Sequence, residues 1–134
     1  MSSTRRELPN RRNHHTQKVR IAGQRTAYVS VHEDQAPAEL FIRVRGIDCT
    51  SEVVGLYDIV GRLASLALQY GAPLEKVGAM LLGSKFELAG PVTLHPRIKN
   101  CTSLPDLIGR HLLVKFCNRA DLAHVSEENN EGRN

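Results

Sequence analysis

At about Gly46 the spacing of apolar residues changes from every second position to every third or fourth, so the chain builds a sheet first and helices afterwards. Before the change, Lys18 to Ala22 reads as a strand, Gly23 and Gln24 as a tight turn, and Arg25 to His32 as a second strand with Ala27, Val29 and Val31 on one side. A polar loop through Asp34 and Pro37 leads to Glu39 to Arg45, where Leu40, Ile42 and Val44 face one way and Phe41, Arg43 and Arg45 the other. The expected product is a three-stranded antiparallel meander with one solvated face. After the change, Thr50 or Ser51 caps a helix whose apolar stripe runs through Val53, Val54, Leu56, Tyr57, Val60, Leu63, Ala64 and Ala67 towards Tyr70, with Gly71 ending it. Pro73 opens a second, shorter helix through about Leu82, closed by Gly83.

Ser84 to Asn100 contains Gly90, Pro91 and Pro96 without a sustained period and reads as a long ordered connection or a binding loop. Ser103 caps a third helix, with Pro105 in its first turn, Asp106 three residues on, and Leu104, Leu107, Ile108, Leu112 and Phe116 on its core face. The fold class is therefore α+β: a three-stranded antiparallel meander followed by three helices packed on one face, the meander lying on the long helix. Leu63 and Leu112 are both expected in the core.

Only 4% of the 134 residues are aromatic and none is Trp, so the interior has to be filled by Leu, Val, Ile and Ala. No apolar run approaches the roughly 18 residues of a membrane span, and Met1 to Arg12 is polar and basic rather than a secretory leader, which points to a soluble cytoplasmic protein with no membrane partner. Cys49, Cys101 and Cys117 are odd in number and far apart, which argues against a disulfide framework and against a zinc ribbon. The formal net charge is +4 at pH 7, and it is unevenly spread. Arg5, Arg6, Arg11, Arg12, Lys18, Arg20 and Arg25 crowd the start, and Glu127, Glu128 and Glu131 the end. Residues 1–16 are accordingly expected to be a flexible basic arm, 17–125 the domain, and 126–134 a flexible acidic tail.

Several motifs in order carry a family resemblance. Thr102-Ser103-Leu104-Pro105-Asp106 is similar to the motif that names the TSCPD domain, with Leu104 where the name has Cys. His95-Pro96-Arg97-Ile98-Lys99-Asn100, Leu68-Gln69-Tyr70-Gly71-Ala72-Pro73-Leu74-Glu75, Lys85-Phe86-Glu87 with Gly90-Pro91, and Asp121-Leu122-Ala123-His124-Val125 resemble the C-terminal region of adenosylcobalamin-dependent, class II ribonucleoside-diphosphate reductases. Thr4-Arg5-Arg6, Leu8-Pro9, Arg11-Arg12 and Gly23-Gln24-Arg25 are similar to the segment leading into that region. The resemblance implies an accessory domain. In that family the radical-generating cysteine, the reducing cysteine pair, the cobalamin site and the nucleotide-specificity site belong to a large barrel that this chain lacks. It therefore implies no catalytic residue and no cofactor bound here, adenosylcobalamin belonging to a partner reductase chain.

The residue types suggest three candidate sites. Thr102, Ser103, Pro105 and Asp106 at a helix start, with His95, Arg97 and Lys99 upstream, could meet a phosphate or carboxylate. An occupied cap uses those amides internally and Asp106 repels an anion, so the structural reading is preferred. His14, His15, His32, His95, His111 and His124 lack the local spacing of a metal module, and Cys101 beside His95 lacks a third group to orient a base, so neither a metal nor a nucleophile is expected. The basic arm, with Arg5, Arg6, Arg11 and Arg12, suits a polyanion but carries no aromatic to stack a base, which favours a linker or protein-docking role. Two functions follow as expectations: an interaction module of a split reductase in deoxynucleotide synthesis, or a small nucleic-acid-binding or regulatory protein using the arm.

Overall fold

A computed structural model describes residues 4–10 and 12–126. Strands β1 (Asn13–Ile21), β2 (Arg25–Asp34) and β3 (Ala36–Gly46) form the expected meander. Ala22 and Gly23 both take positive φ in the first turn, which Gln24 N closes on Ile21 O at 2.9 Å. Val19, Ile21, Ala27, Val29, Val31, Leu40, Ile42 and Val44 are buried, so alternation placed the inner face correctly. The first strand begins at Asn13 rather than Lys18. Asn13 to Gln17 carry no apolar alternation, yet they pair residue for residue with Glu33 to Val29, because a partner backbone sustains a strand that side chains do not announce.

The stretch read as a connection contributes two more strands. β4 (Gly90–Thr93) pairs with β1 through Arg20↔Thr93 and Ile21↔Val92, and β5 (Asn100–Cys101) pairs with β4, giving the order β3-β2-β1-β4-β5. The sheet is thus five-stranded, not three. Ladders two residue pairs long are too brief to show a period.

Helix α1 (Ser51–Gln69) starts at Thr50, whose Oγ1 accepts from Val53 N at 3.3 Å. It lies along the edge of the sheet against β3 rather than under its face. Ser65 Oγ accepts from Leu40 N at 2.8 Å and lies 3.1 Å from Leu40 O, while Gln69 Nε2 donates to Ala38 O at 3.1 Å, so the helix satisfies backbone groups an edge strand would otherwise expose. Such contact requires small residues. A Cβ on Gly61 would sit 2.8 Å from Leu40 O, and Ala64 and Ser65 complete the close face. Leu63 falls outside this face and is 61% exposed, contrary to its expected burial.

Helices α2 (Leu74–Leu81) and α3 (Leu104–Phe116) complete the domain. They approach closely at Gly78 and Gly109; a Cβ on Gly109 would meet Gly78 O at 2.6 Å. Leu104, Leu107, Ile108 and Leu112 of α3 are buried in one hydrophobic cluster with the inward strand residues, so Leu112 lies in the core as expected. Among the described residues no helix is long and apolar enough to cross a membrane.

Candidate functional site

The motif at the start of α3 is a hydrogen-bonded knot. Ser103, in extended backbone, caps the helix through Oγ, which accepts from Asp106 N at 3.0 Å and donates to Ser84 O at 2.6 Å. Thr102 Oγ1 donates to the same carbonyl at 2.8 Å. The Asp106 carboxylate is fully buried. It accepts from Gly83 N at 2.8 Å on one oxygen and from Thr102 N at 3.1 Å on the other, with Arg110 Nη2 3.7 Å away. Pro105 occupies the first turn, where its missing N–H costs nothing. The cap, Asp106 and Thr102 are thus spent on tying α3 to the loop that leaves α2. Of the motif's partners, Gly83 is legible in the sequence as a helix end, whereas Ser84 and Arg110 carry no pattern of their own.

His95, Arg97 and Lys99 form a second cluster. His95 is buried; its Nδ1 accepts from the backbone N–H of Arg97 and of Ile98, each at 3.0 Å, and its Nε2 lies 2.9 Å from Nδ1 of His111 on α3. Two amide donors fix Nδ1 as the acceptor, so Nε2 carries the proton and donates it to His111. Burial, then the neighbouring His111, Lys99, Arg97 and Lys115 charges, lowers the His95 pKa to about 3. Burial and Lys115 lower that of His111 to about 4. Both rings are neutral at pH 7. Around them, Lys99 Nζ donates to His95 O at 2.9 Å and Lys99 N to His124 Nδ1 at 3.0 Å. Arg97 O accepts from His124 N at 2.8 Å and Val125 N at 3.0 Å, and Arg97 Nε donates to Val125 O at 3.2 Å. The loop therefore clamps the final described segment to α3 and does not present a free cationic cradle. His111 and His124 lie 16 and 25 residues from their partners, too far for local spacing to reveal.

The three thiols do not converge on this cluster. Cys49 precedes α1, Cys101 is buried in β5 and Cys117 ends α3; burial pushes all three thiols up, which disfavours the nucleophilic thiolate. Among the described residues no three His, Cys, Asp or Glu side chains are grouped to hold a metal ion. Among the described residues the fit to cobalamin is poor: both ring nitrogens of His95 are engaged, and the surface groove of about 560 Å³ beside Phe41, Ile59 and Leu63 is lined by no histidine.

The basic arm is docked where it is described. Arg6 N donates to Gln69 O at 2.8 Å, Arg5 Nε donates to Gln69 Oε1, and Arg12 Nη2 lies 2.8 Å from Glu39. Arg11 and the acidic tail at Glu127, Glu128 and Glu131 lie outside the described residues. Next to the arm, α1 presents a second apolar face, of which the expected single stripe contains Leu56 and Leu63 but not Ile59 or Leu66. Leu56, Ile59, Leu63 and Leu66 are 54%, 44%, 61% and 39% exposed, and their 3-4-3 spacing forms one stripe about half a turn from the small-residue face on β3.

The TSCPD domain family matches residues 3–114. Vitamin B12-dependent ribonucleotide reductases are among the chain's relatives. That of Agrobacterium fabrum is 38% identical over 130 residues, covering 93% of this chain and 10% of the relative. That of Bradyrhizobium diazoefficiens is 35% identical over 125 residues, covering 90% and 10%, and that of Rhodopirellula baltica 32% over 124 residues, covering 92% and 12%. The chain thus spans about a tenth of the length of these relatives. No solved structure matches it.

Proposed function

The chain belongs to the TSCPD domain family, and from that premise we propose that it is an accessory docking module of a split class II, adenosylcobalamin-dependent ribonucleotide reductase. In this reading it binds a separate chain that carries the catalytic barrel, and it serves deoxynucleotide synthesis without performing the reduction. One observation carries the proposal: a domain related to a tenth of a large reductase exposes a four-residue aliphatic seam, Leu56, Ile59, Leu63 and Leu66, on the outward side of its longest helix. Isolated exposed leucines are ordinary, but an aligned stripe opposite the packed face is the pattern of a helix that seats in an apolar groove. Within a longer reductase the partner surface would be the rest of the chain. Adenosylcobalamin is assigned to the partner, since His95 has no free ring nitrogen and Cys101 is buried. Reduction also requires a thiyl radical, a reducing thiol pair and a shared water-poor pocket, and the three thiols here stand apart.

The basic arm is the weaker candidate for contact with nucleic acid, because Arg5 and Arg12 already hold Gln69 and Glu39. The test is to mix this chain with the barrel-bearing reductase chain of the same cell and to measure binding and deoxynucleotide formation with adenosylcobalamin and dithiol. Binding, with turnover that depends on the barrel chain and rises on adding this one, is the expected result. No binding together with unchanged turnover overturns the proposal.

A further inference from the structure

We propose that the outer face of the sheet binds single-stranded nucleic acid, an activity separate from docking to a reductase. Strand register places Lys18, Tyr28 and Arg43 in one row across β1, β2 and β3, and Arg20, Thr26 and Arg45 in the next. Four cations therefore share one face. None of them pairs with a carboxylate among the described residues, and Glu39, the nearest acid on the same face of β3, is held by Arg12. Lys18 Nζ lies 5.7 Å and Arg45 Cζ 5.6 Å from the centroid of the Tyr28 ring. Lys18 and Arg45 are gathered on an aromatic instead of on counter-ions, so they can turn to a phosphate at small cost.

The chemistry of this face selects its occupant. A hollow of about 390 Å³ lies beside Tyr28, Arg43 and Arg45, with Thr16 and Ser30 hydroxyls at its wall. Phe41, 40% exposed, sits diagonally from Tyr28 on the neighbouring strand, about 7–8 Å away in sheet geometry. Tyr28 flanked by two cations, with Phe41 beside it edge-on to His32 at 4.8 Å, matches a strand that alternates bases with phosphates. A mononucleotide offers all its phosphates at one end and would leave half of the face unused. A duplex hides its base faces, and a broad sheet does not enter its grooves. The face lies opposite α3 and uses neither the knot at Asp106 nor the histidine pair.

The experiment is fluorescence anisotropy of a labelled mixed-sequence 12-mer, as RNA and as DNA, with the full chain alone, so its outcome is independent of any reductase. Neutralising three or four phosphates of a single strand predicts a fall in affinity of about 20- to 50-fold between 50 and 200 mM salt. The single strand is expected to bind more tightly than the duplex of the same sequence. Arg43→Glu with Arg45→Glu is expected to weaken binding about tenfold or more, and Tyr28→Ala about fivefold or more through lost stacking. Lys76→Glu on α2 makes the same kind of charge change away from the sheet and is expected to alter affinity less than about twofold. If the reversed pair does not fold, Arg43→Gln with Arg45→Gln takes its place, and circular dichroism checks every variant. No binding, equal affinity in the folded arginine variants, a duplex bound as tightly as the strand, or an equal loss in Lys76→Glu would each overturn the proposal.

Discussion

Replacing Asp106 with Ala removes the acceptor that holds two backbone amides and stands beside one guanidinium. The carboxylate accepts from Gly83 N at 2.8 Å and Thr102 N at 3.1 Å and has Arg110 at 3.7 Å, all from a fully buried position. Hydrogen bonds to a charged group contribute about 1.5–3 kcal/mol each. Gly83 and Thr102 are themselves exposed, so their freed amides regain water in part, which brings the expected loss to about 3 kcal/mol, the lower end of what breaking a buried charged contact costs. At about 4 °C per kcal/mol for a domain of this size, the melting temperature falls by about 12 °C. Asp106→Asn keeps one acceptor but turns an NH2 group towards the second amide, so it is expected to lose about 2 kcal/mol. Thr102→Val removes only an exposed hydroxyl bonded to Ser84 O at 2.8 Å and is expected to lose less than about 1 kcal/mol. Urea unfolding of the three variants measures the free energies, and thermal unfolding the melting temperature. A loss below about 1 kcal/mol in Asp106→Ala would refute the reading of the motif as a structural knot and return Asp106 to the list of candidate ligand-binding groups.

Leu112→Ala is expected to cost about 2–5 kcal/mol and Leu63→Ala less than about 1 kcal/mol, by urea unfolding, because only the former lies in the core. Gly61→Ala gains about 1 kcal/mol of helix propensity but drives a methyl to 2.8 Å from Leu40 O; a net loss of about 1–3 kcal/mol is expected from the same measurement. The His95 and His111 pKa values are lowered to about 3 and about 4. The unfolded chain therefore takes up more protons below about pH 6.5, and the stability that the pair contributes is complete above that pH and is lost as pH falls towards 4 and 3. Stability measured from pH 7 to pH 5 should fall with a slope approaching about 1.4 kcal/mol per pH unit for each histidine, and His111→Gln should reduce that slope.

The sheet and helix order was legible because the period changes at Gly46, and the caps were legible because Thr50 and Ser103 announce helix starts with side chains suited to bind free amides. The placement of α1 was not. Leu56 and Leu63 were read with Val60 and Ala64 as one broad stripe, but edge packing chose the small residues Gly61, Ala64 and Ser65 and left the larger ones outside. Strands β4 and β5 escaped because backbone pairing over two positions leaves no pattern in side chains. Among the motif residues, His95 could be named without its partner, since contact with His111 arises only when the loop closes on α3. On the sheet, the alternation that set Arg43 and Arg45 apart from Ile42 and Val44 was readable; the row Lys18, Tyr28 and Arg43, and the approach of Lys18 and Arg45 to Tyr28, needed the register.

The central claim is that the outward seam of α1 docks this domain to the catalytic part of a B12-dependent reductase. Its most direct test is the dissociation constant between the two chains for wild type and for Ile59→Asp with Leu63→Asp. Both residues are exposed, so the variant should fold with an unchanged urea midpoint while its affinity for the barrel chain drops at least about tenfold, as expected when charge enters the centre of an apolar contact. Equal affinity of the folded variant and the wild type would contradict the claim.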